Sequence, residues 1–206
     1  MVHCVQHPSA EMGRFTVPPA RTQLPRCDIR PIDDADFEAC AAIYRLNAAD
    51  QLPPAYSTYF LEWLRAREAQ VFVAETNGQV RGFGGLNTHQ QYNMRVATLA
   101  FGTVHPAYHR QGFGTALLLG RLATLPDCDM DWELYAITTT DPKTFYHQFG
   151  FSWIGSFPRH DGPEFDLHRA LFDKGCQKTC HSILRDASIF LVNGGVADPS
   201  IVSAVG

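Results

Sequence analysis

One stretch of this chain limits what it can fold into more than any other. An apolar run, Val96–Val104, leads through His105-Pro106-Ala107-Tyr108 into His109-Arg110-Gln111-Gly112-Phe113-Gly114, and a leucine-dense segment, Thr115–Ala123, follows at once. A strand that passes through a glycine-spaced turn straight into a helix directs successive backbone N–H groups outward at the positive end of the helix dipole. An anionic phosphate is the natural ligand of such a turn. Gly112 and Gly114 carry no Cβ and permit close backbone approach. A dinucleotide fingerprint is excluded, because Leu117 stands where its third glycine belongs, and a P-loop is excluded because no Gly-Lys-Ser/Thr follows. A glycine-rich turn that binds nothing is the alternative reading of the same residues.

The surrounding pattern predicts a mixed, mostly antiparallel twisted sheet with helices on its faces, an α/β (α+β) fold. Residues 1–26 read as a loosely structured N-terminal extension, broken by Pro18, Pro19 and Pro25. A short strand over Asp28–Ile32 precedes a helix that Asp33 or Asp34 caps and that runs to Leu46. A second amphipathic helix is expected from Ser57 to about Arg67. Val71–Ala74 and Gln79–Leu86 form a hairpin across Asn77-Gly78. After the glycine turn and its helix come a strand over Glu133–Thr138, a short helix from Pro142 to Gly150, and a hairpin of Phe151–Phe157 with Phe165–Phe172. Residues 173–206 read as a C-terminal extension, partly helical near Cys180–Val192 or disordered.

Composition fits one domain of 27–172 with a sizeable core: the chain has 206 residues, 45% hydrophobic and 18% charged, which excludes wholesale disorder. A net charge of −4 argues against a nucleic-acid partner. No apolar run approaches the ~20 residues that span a bilayer, so no membrane partner is expected. Met1–Arg26 shows no apolar signal segment. The six cysteines are scattered, so free thiols in a cytoplasmic setting are expected rather than a disulfide framework. Cys176, Cys180 and His181 lack the further ligands of a structural zinc site, and no metal is expected.

The glycine turn resembles the acetyl-CoA loop of the GNAT N-acetyltransferases, Gln/Arg-x-x-Gly-x-Gly/Ala, with His109, Gly112 and Gly114 in its three fixed positions. Downstream, Phe145-Tyr146-His147-Gln148-Phe149-Gly150-Phe151 is similar to the same family's Phe-Tyr-x-x-x-Gly-Phe signature. The two motifs stand in the family's order, and the resemblance covers about Asp28 to Phe172. It implies an acyltransferase that moves an acetyl group from acetyl-CoA, as co-substrate, to a primary amine of a small molecule, peptide or protein. It places the cofactor on Thr103, Val104, His109, Arg110, Gln111, Gly112, Phe113, Gly114, Thr115 and Phe145. It also implies a backbone N–H near Thr103–Val104 as the group that polarises the acetyl carbonyl, and Tyr146 as the general acid.

A phenol near pKa 10 can donate to a thiolate whose conjugate acid lies near 8.5. The base is open. Thr98 stands where many relatives carry a glutamate, and Ala97–Val104 holds no carboxylate. His105, His89 and Glu133, acting through water, are the candidates, unless the amine arrives neutral. That missing carboxylate also keeps a second reading open, a catalytically weak acyl-CoA sensor or regulatory module. Tyr56, Tyr59, Phe60, Trp63, Trp153 and Phe157 are candidates to shape an acceptor pocket, with Asp161 and Glu164 to attract a cationic amine. An edge strand, or the segment after Phe172, offers a surface for pairing two copies as a homodimer.

Overall fold

The computed structural model describes residues 12–48, 55–91, 94–127, 129–139, 143–159 and 162–191. A two-residue strand β1 (Gly13–Arg14) opens this part of the chain, followed by β2 (Asp28–Pro31), α1 (Phe37–Ala48) and α2 (Ala55–Ala66). Three long strands come next, β3 (Gln70–Thr76), β4 (Gln79–Gln91) and β5 (Met94–Val104), then α3 (Phe113–Ala123) and β6 (Trp132–Thr138). The chain continues through α4 (Lys143–His147), β7 (Ser152–Arg159), β8 (Gly162–Phe172), α5 (Lys174–Asp186) and β9 (Phe190–Leu191).

These strands build one sheet in the order β1-β8-β6-β5-β4-β3-β2-β9, with β7 also on β8. Its pairs are antiparallel except β5 with β6, β1 with β8 and β2 with β9. The β3–β4 turn has Asn77 at φ 53° and Gly78 at φ 70°, the mirror-image turn whose twist matches a hairpin. Asp33 caps a short 3-10 turn ahead of α1 in a capping box with Asp36. One face of the sheet is covered by α3 and α5 over Leu86, Ala97, Leu99 and Leu134, the other by α1 and α2 over Val71, Val73 and Phe83. Every residue of α3 except Gly114 is buried, because α5 closes over the side that the sheet leaves open.

Where they are described, the segments on either side of 27–172 pack onto the domain. Residues 12–26 are a packed strap: Phe15 is 1% exposed, its N–H donates to Leu171 O at 2.8 Å, and the Thr16 N–H donates to Phe149 O at 3.0 Å. The prolines break regular structure but leave an extended chain free to bury a single aromatic. The C-terminal helix starts at Lys174, six residues before the expected start, because Asp173 accepts from the Cys176 N–H at 2.8 Å and caps it. It ends at Asp186, after which β9 returns to the sheet edge beside β2. Residues 1–11 and 192–206 lie outside the described residues. Among the described residues no helix is long and apolar enough to cross a membrane.

Candidate active site

β5 and β6 pair from Arg95–Trp132 to Leu99–Ala136 and then part. β5 runs on to Val104 against β4, and β6 to Thr138 against β8, which leaves a cleft between two strands that started as neighbours. At the mouth of this cleft the β4–β5 register skips, and neither Phe101 nor Gly102 has a ladder partner on either side. Phe101 sits at φ 47°, a left-handed conformation that costs a bulky residue about 1–2 kcal/mol. Its ring repays that strain by packing on Trp63 at 4.5 Å, Phe60 at 5.3 Å and Tyr59 at 6.2 Å. The aromatic face of α2 thus holds the bulge open.

β5 leaves the sheet into the glycine loop. The His105 N–H donates to Arg81 O at 2.8 Å, and its Nδ1 accepts from the Ala107 N–H at 3.2 Å, capping a 3-10 turn at Pro106–Tyr108. Arg110 and Gly112 then take φ values of 61° and 89°. α3 begins with Gly112 as its N-cap and no side chain capping it. The Ala116 N–H reaches Gly112 O at 2.9 Å, so the N–H groups of Phe113, Gly114 and Thr115 precede the first intrahelical bond and point out of the helix end. The expected glycines differ in origin. Gly112 is required by its φ and by Pro25, whose Cδ would lie 2.9 Å from a Cβ there. At Gly114 a Cβ would meet nothing nearer than the Phe145 ring at 3.7 Å, an ordinary contact, so the protein's own packing does not require glycine at that position.

Val104 O accepts from Asn47 Nδ2 at 3.0 Å and from His109 Nε2 at 2.8 Å. The His109 ring therefore folds back on β5 while staying exposed, as do the side chains of Arg110 and Gln111, Gln111 donating to Ala107 O at 2.9 Å. α4 stands against this loop. Phe145 faces Gly114 and meets Tyr146 edge-on at 5.2 Å. Gly150, at φ 80°, ends the turn as a left-handed cap. Tyr146 is buried, and its hydroxyl lies 3.5 Å from the position a Cβ would take on Gly102.

The structure brings Thr103, Val104, the loop His109–Thr115, Phe145 and Tyr146 around one cleft. Glu133 is elsewhere. It sits opposite Val96 on β6, seven residues along β5 from Thr103 and so roughly 20 Å away. Its carboxylate accepts from Arg169 at 2.7 Å and from the Tyr135 hydroxyl at 3.0 Å. His89 pairs with the same Val96 and is exposed at that far end. His105 lies near the loop with its Nδ1 committed to the 3-10 turn. Of the acceptor candidates, Phe60 and Trp63 are core residues, Trp153 donates to Asp166 at 2.9 Å, and Glu164 is exposed. Tyr59 stays exposed over Phe101, while Tyr56 and Phe157 each meet Phe165, at 6.2 and 6.0 Å. Asp161 lies outside the described residues.

Two further residues of this cleft had not been expected from the sequence. His168 on β8 is fully buried, stacked with Tyr146 at 6.3 Å and hydrogen-bonded through Nε2 to the Thr138 hydroxyl at 3.0 Å. Arg121 on α3 is 2% exposed. Burial pulls its guanidinium below its ordinary range, opposed by the Tyr146 hydroxyl beside it. The signals were there: Asp166 and His168 interrupt the inward parity that Ala170 and Phe172 continue, and Arg121 stands four residues from Leu117 on a leucine face.

Residues 67–152 match the family model described as "Acetyltransferase (GNAT) domain". That match makes residues 67–152 an acetyltransferase domain of the GNAT type, the fold agrees with it, and together they support an acyltransferase enzyme. It is similar to Ard1 from Thermoplasma volcanium at 19% identity and a TM-score of 0.57, covering 72% of this chain and 99% of that one. A candidate acetyltransferase, YncA from Salmonella typhimurium, solved with acetyl-CoA, shares 21% identity at a TM-score of 0.51, covering 72% and 95%. N-Acetylglutamate synthase from Neisseria gonorrhoeae, complexed with coenzyme A and N-acetyl-glutamate, shares 17% identity at 0.55, over 72% of this chain and 35% of that longer one. No curated protein matches the chain at a significant level.

Proposed function

We propose that this enzyme transfers the acetyl group of acetyl-CoA directly to a primary amine. The observation that carries the reading is one arrangement: an uncapped α3 N-terminus with room at Gly114, and the Tyr146 hydroxyl at the β5 bulge across the same cleft. The N–H groups of Phe113, Gly114 and Thr115 hold the pyrophosphate, as free helix N-termini do. Bound acetyl-CoA supplies an activated thioester. The unladdered Phe101–Gly102 peptide, one to two residues before the expected Thr103–Val104, faces the acetyl carbonyl. Tyr146 delivers a proton at the leaving sulfur. Acetyl-CoA in the YncA structure and coenzyme A in the synthase support acetyl-CoA as the co-substrate.

The amine enters beside Tyr59, Phe101 and Phe165, whose exposed or half-exposed rings favour an acceptor with an apolar body. The lack of a carboxylate on Ala97–Val104 favours a second reading, a weak acyl-CoA-binding module. Calorimetry with acetyl-CoA, followed by thiol release over a panel of small-molecule, polyamine and peptide amines, separates the two. Binding with turnover supports transfer; binding with thiol release at background supports the module. No heat with acetyl-CoA removes both.

A further inference from the structure

We propose that Arg121 is a positioning residue of this reaction: its guanidinium holds the Tyr146 oxygen at the bulge and stabilises the phenolate left when Tyr146 gives up its proton. The inference rests on the acetyl-transfer reading above.

Leucine is the economical residue on the inner face of α3, where Leu117, Leu118 and Leu122 pack into the core. A buried cation there is costly unless something answers its charge. Among the described residues no carboxylate answers it. Nε donates to Leu117 O at 3.1 Å and Nη1 to Gly85 O at 3.0 Å, both neutral carbonyls. The remaining edge of the fork faces the cleft. Nη2 lies 3.2 Å from where a Cβ on Gly102 would stand, and the Tyr146 oxygen is 3.5 Å from that same point. The strands are bare to admit the group: a Cβ on Gly84 would lie 2.8 Å from Nη1. Gly102 itself is exposed, so the guanidinium is separated from the cleft by one residue without a side chain.

Such a cation is answered when an anion forms beside it, and the proposed reaction forms one there. The amine nitrogen bonds to the acetyl carbon, and the C–S bond breaks with its electron pair passing to sulfur. The sulfur takes the Tyr146 hydroxyl proton, giving the free thiol and leaving a phenolate against Arg121. The proton shed by the acylated nitrogen, carried by solvent, restores the phenol. Charge and protons balance over the cycle, and Arg121 keeps its own proton throughout, as arginine does.

The test is a double-mutant cycle on the full chain with acetyl-CoA and the amine that thiol release selects. Arg121→Met, neutral and of similar length, is expected to lower kcat about a hundredfold while acetyl-CoA affinity by calorimetry holds within about threefold. In a Tyr146→Phe background it is expected to cost less than about a further twofold, because residues acting as a unit are not additive. A full independent loss in that background, or an unchanged kcat in the single variant, overturns the proposal. Gly102→Ala decides the case if Arg121→Met does not fold. Its methyl would stand 3.2 Å from Arg121 Nη2 and press the guanidinium while only touching the Tyr146 oxygen at 3.5 Å, so kcat is expected to fall with affinity kept, and unchanged turnover overturns the inference. Wild-type protein that neither binds acetyl-CoA nor releases thiol defeats the acetyl-transfer reading instead, which distinguishes the two failures.

Discussion

Phe15 stacks on Phe149 with ring centroids 5.9 Å apart and planes 11° from parallel. The contact joins the N-terminal strap to the turn that carries Tyr146, three residues earlier in the chain. Phe15 also meets Phe151 and Phe172 edge-on, at 6.2 and 5.4 Å. Phe15→Ala is therefore expected to destabilise the protein by roughly 3 kcal/mol, measured by urea unfolding, and to lower kcat by loosening α4. A stability loss below about 1 kcal/mol, the low end for a core truncation, would show that the strap is not part of the core.

Gly114 separates ligand approach from folding. Gly114→Ala adds a methyl in ordinary contact with Phe145 and raises helix propensity by up to about 1 kcal/mol, so the melting temperature is expected to hold or rise. The affinity for acetyl-CoA, read by calorimetry, is expected to hold within about threefold, because the loop pattern admits alanine here. Gly114→Asp sets a carboxylate against the pyrophosphate and is expected to lower affinity at least about tenfold, or ~1.4 kcal/mol. Undiminished affinity in that variant would mean that no phosphate approaches this residue.

Tyr146→Phe keeps the ring contacts with Phe145, Phe151 and His168 and removes the hydroxyl alone. A loss of about a hundredfold in kcat, with cofactor affinity intact, is the expected result of steady-state kinetics and calorimetry. Equal turnover would take Tyr146 out of the mechanism.

Away from the cleft, Arg30 donates to both oxygens of Asp36, at 2.6 and 2.8 Å, and to Glu75 at 2.6 Å. Burial alone would raise the Asp36 carboxyl, but the hydrogen bonds from Arg30 and from the Asp33 N–H outweigh it and hold the group below its ordinary value. A depressed carboxyl contributes stability that is complete above its unfolded value of about 4 and is lost as pH falls through the folded one. Asp36→Ala is expected to cost roughly 3 kcal/mol at neutral pH. The gap to wild type should narrow under acid; a pH-independent gap in unfolding free energy would show that the charge is not the source.

Burial pushes the thiols of Cys27, Cys40 and Cys180 up to about 12. At pH 8 only about one in 10⁴ of each is thiolate, the reactive form. A thiol-specific disulfide reagent is expected to leave all three unlabelled in native protein and to modify them on unfolding, read by peptide mass. Rapid native labelling of Cys180 would mean that α5 opens from α3.

The two motifs flanking α3 made the family readable from the chain, and hydrophobic period placed the central strands and helices. The glycine loop was local information: a strand end, two glycines and a helix start, all within fifteen residues from Val104 to Leu118. Tyr146 was identified through its place in the second motif. Glu133 could not be placed from the chain alone, because a carboxylate's position along a strand says nothing about register, and register puts it at the far end of the sheet beside Arg169.

What the sequence by itself determined is the strand–loop–helix unit that leaves the α3 N-terminus uncapped, since backbone N–H groups at a helix start need no distant partner to point outward. Only the tertiary structure decided what lies behind that site. Arg121, Tyr146, His168 and Gly102 come from α3, α4, β8 and β5 and meet because β5 and β6 part after Leu99 and Ala136. Phe15 closes over α4 for the same kind of reason: long-range packing is set by sheet order and register, which no local pattern encodes.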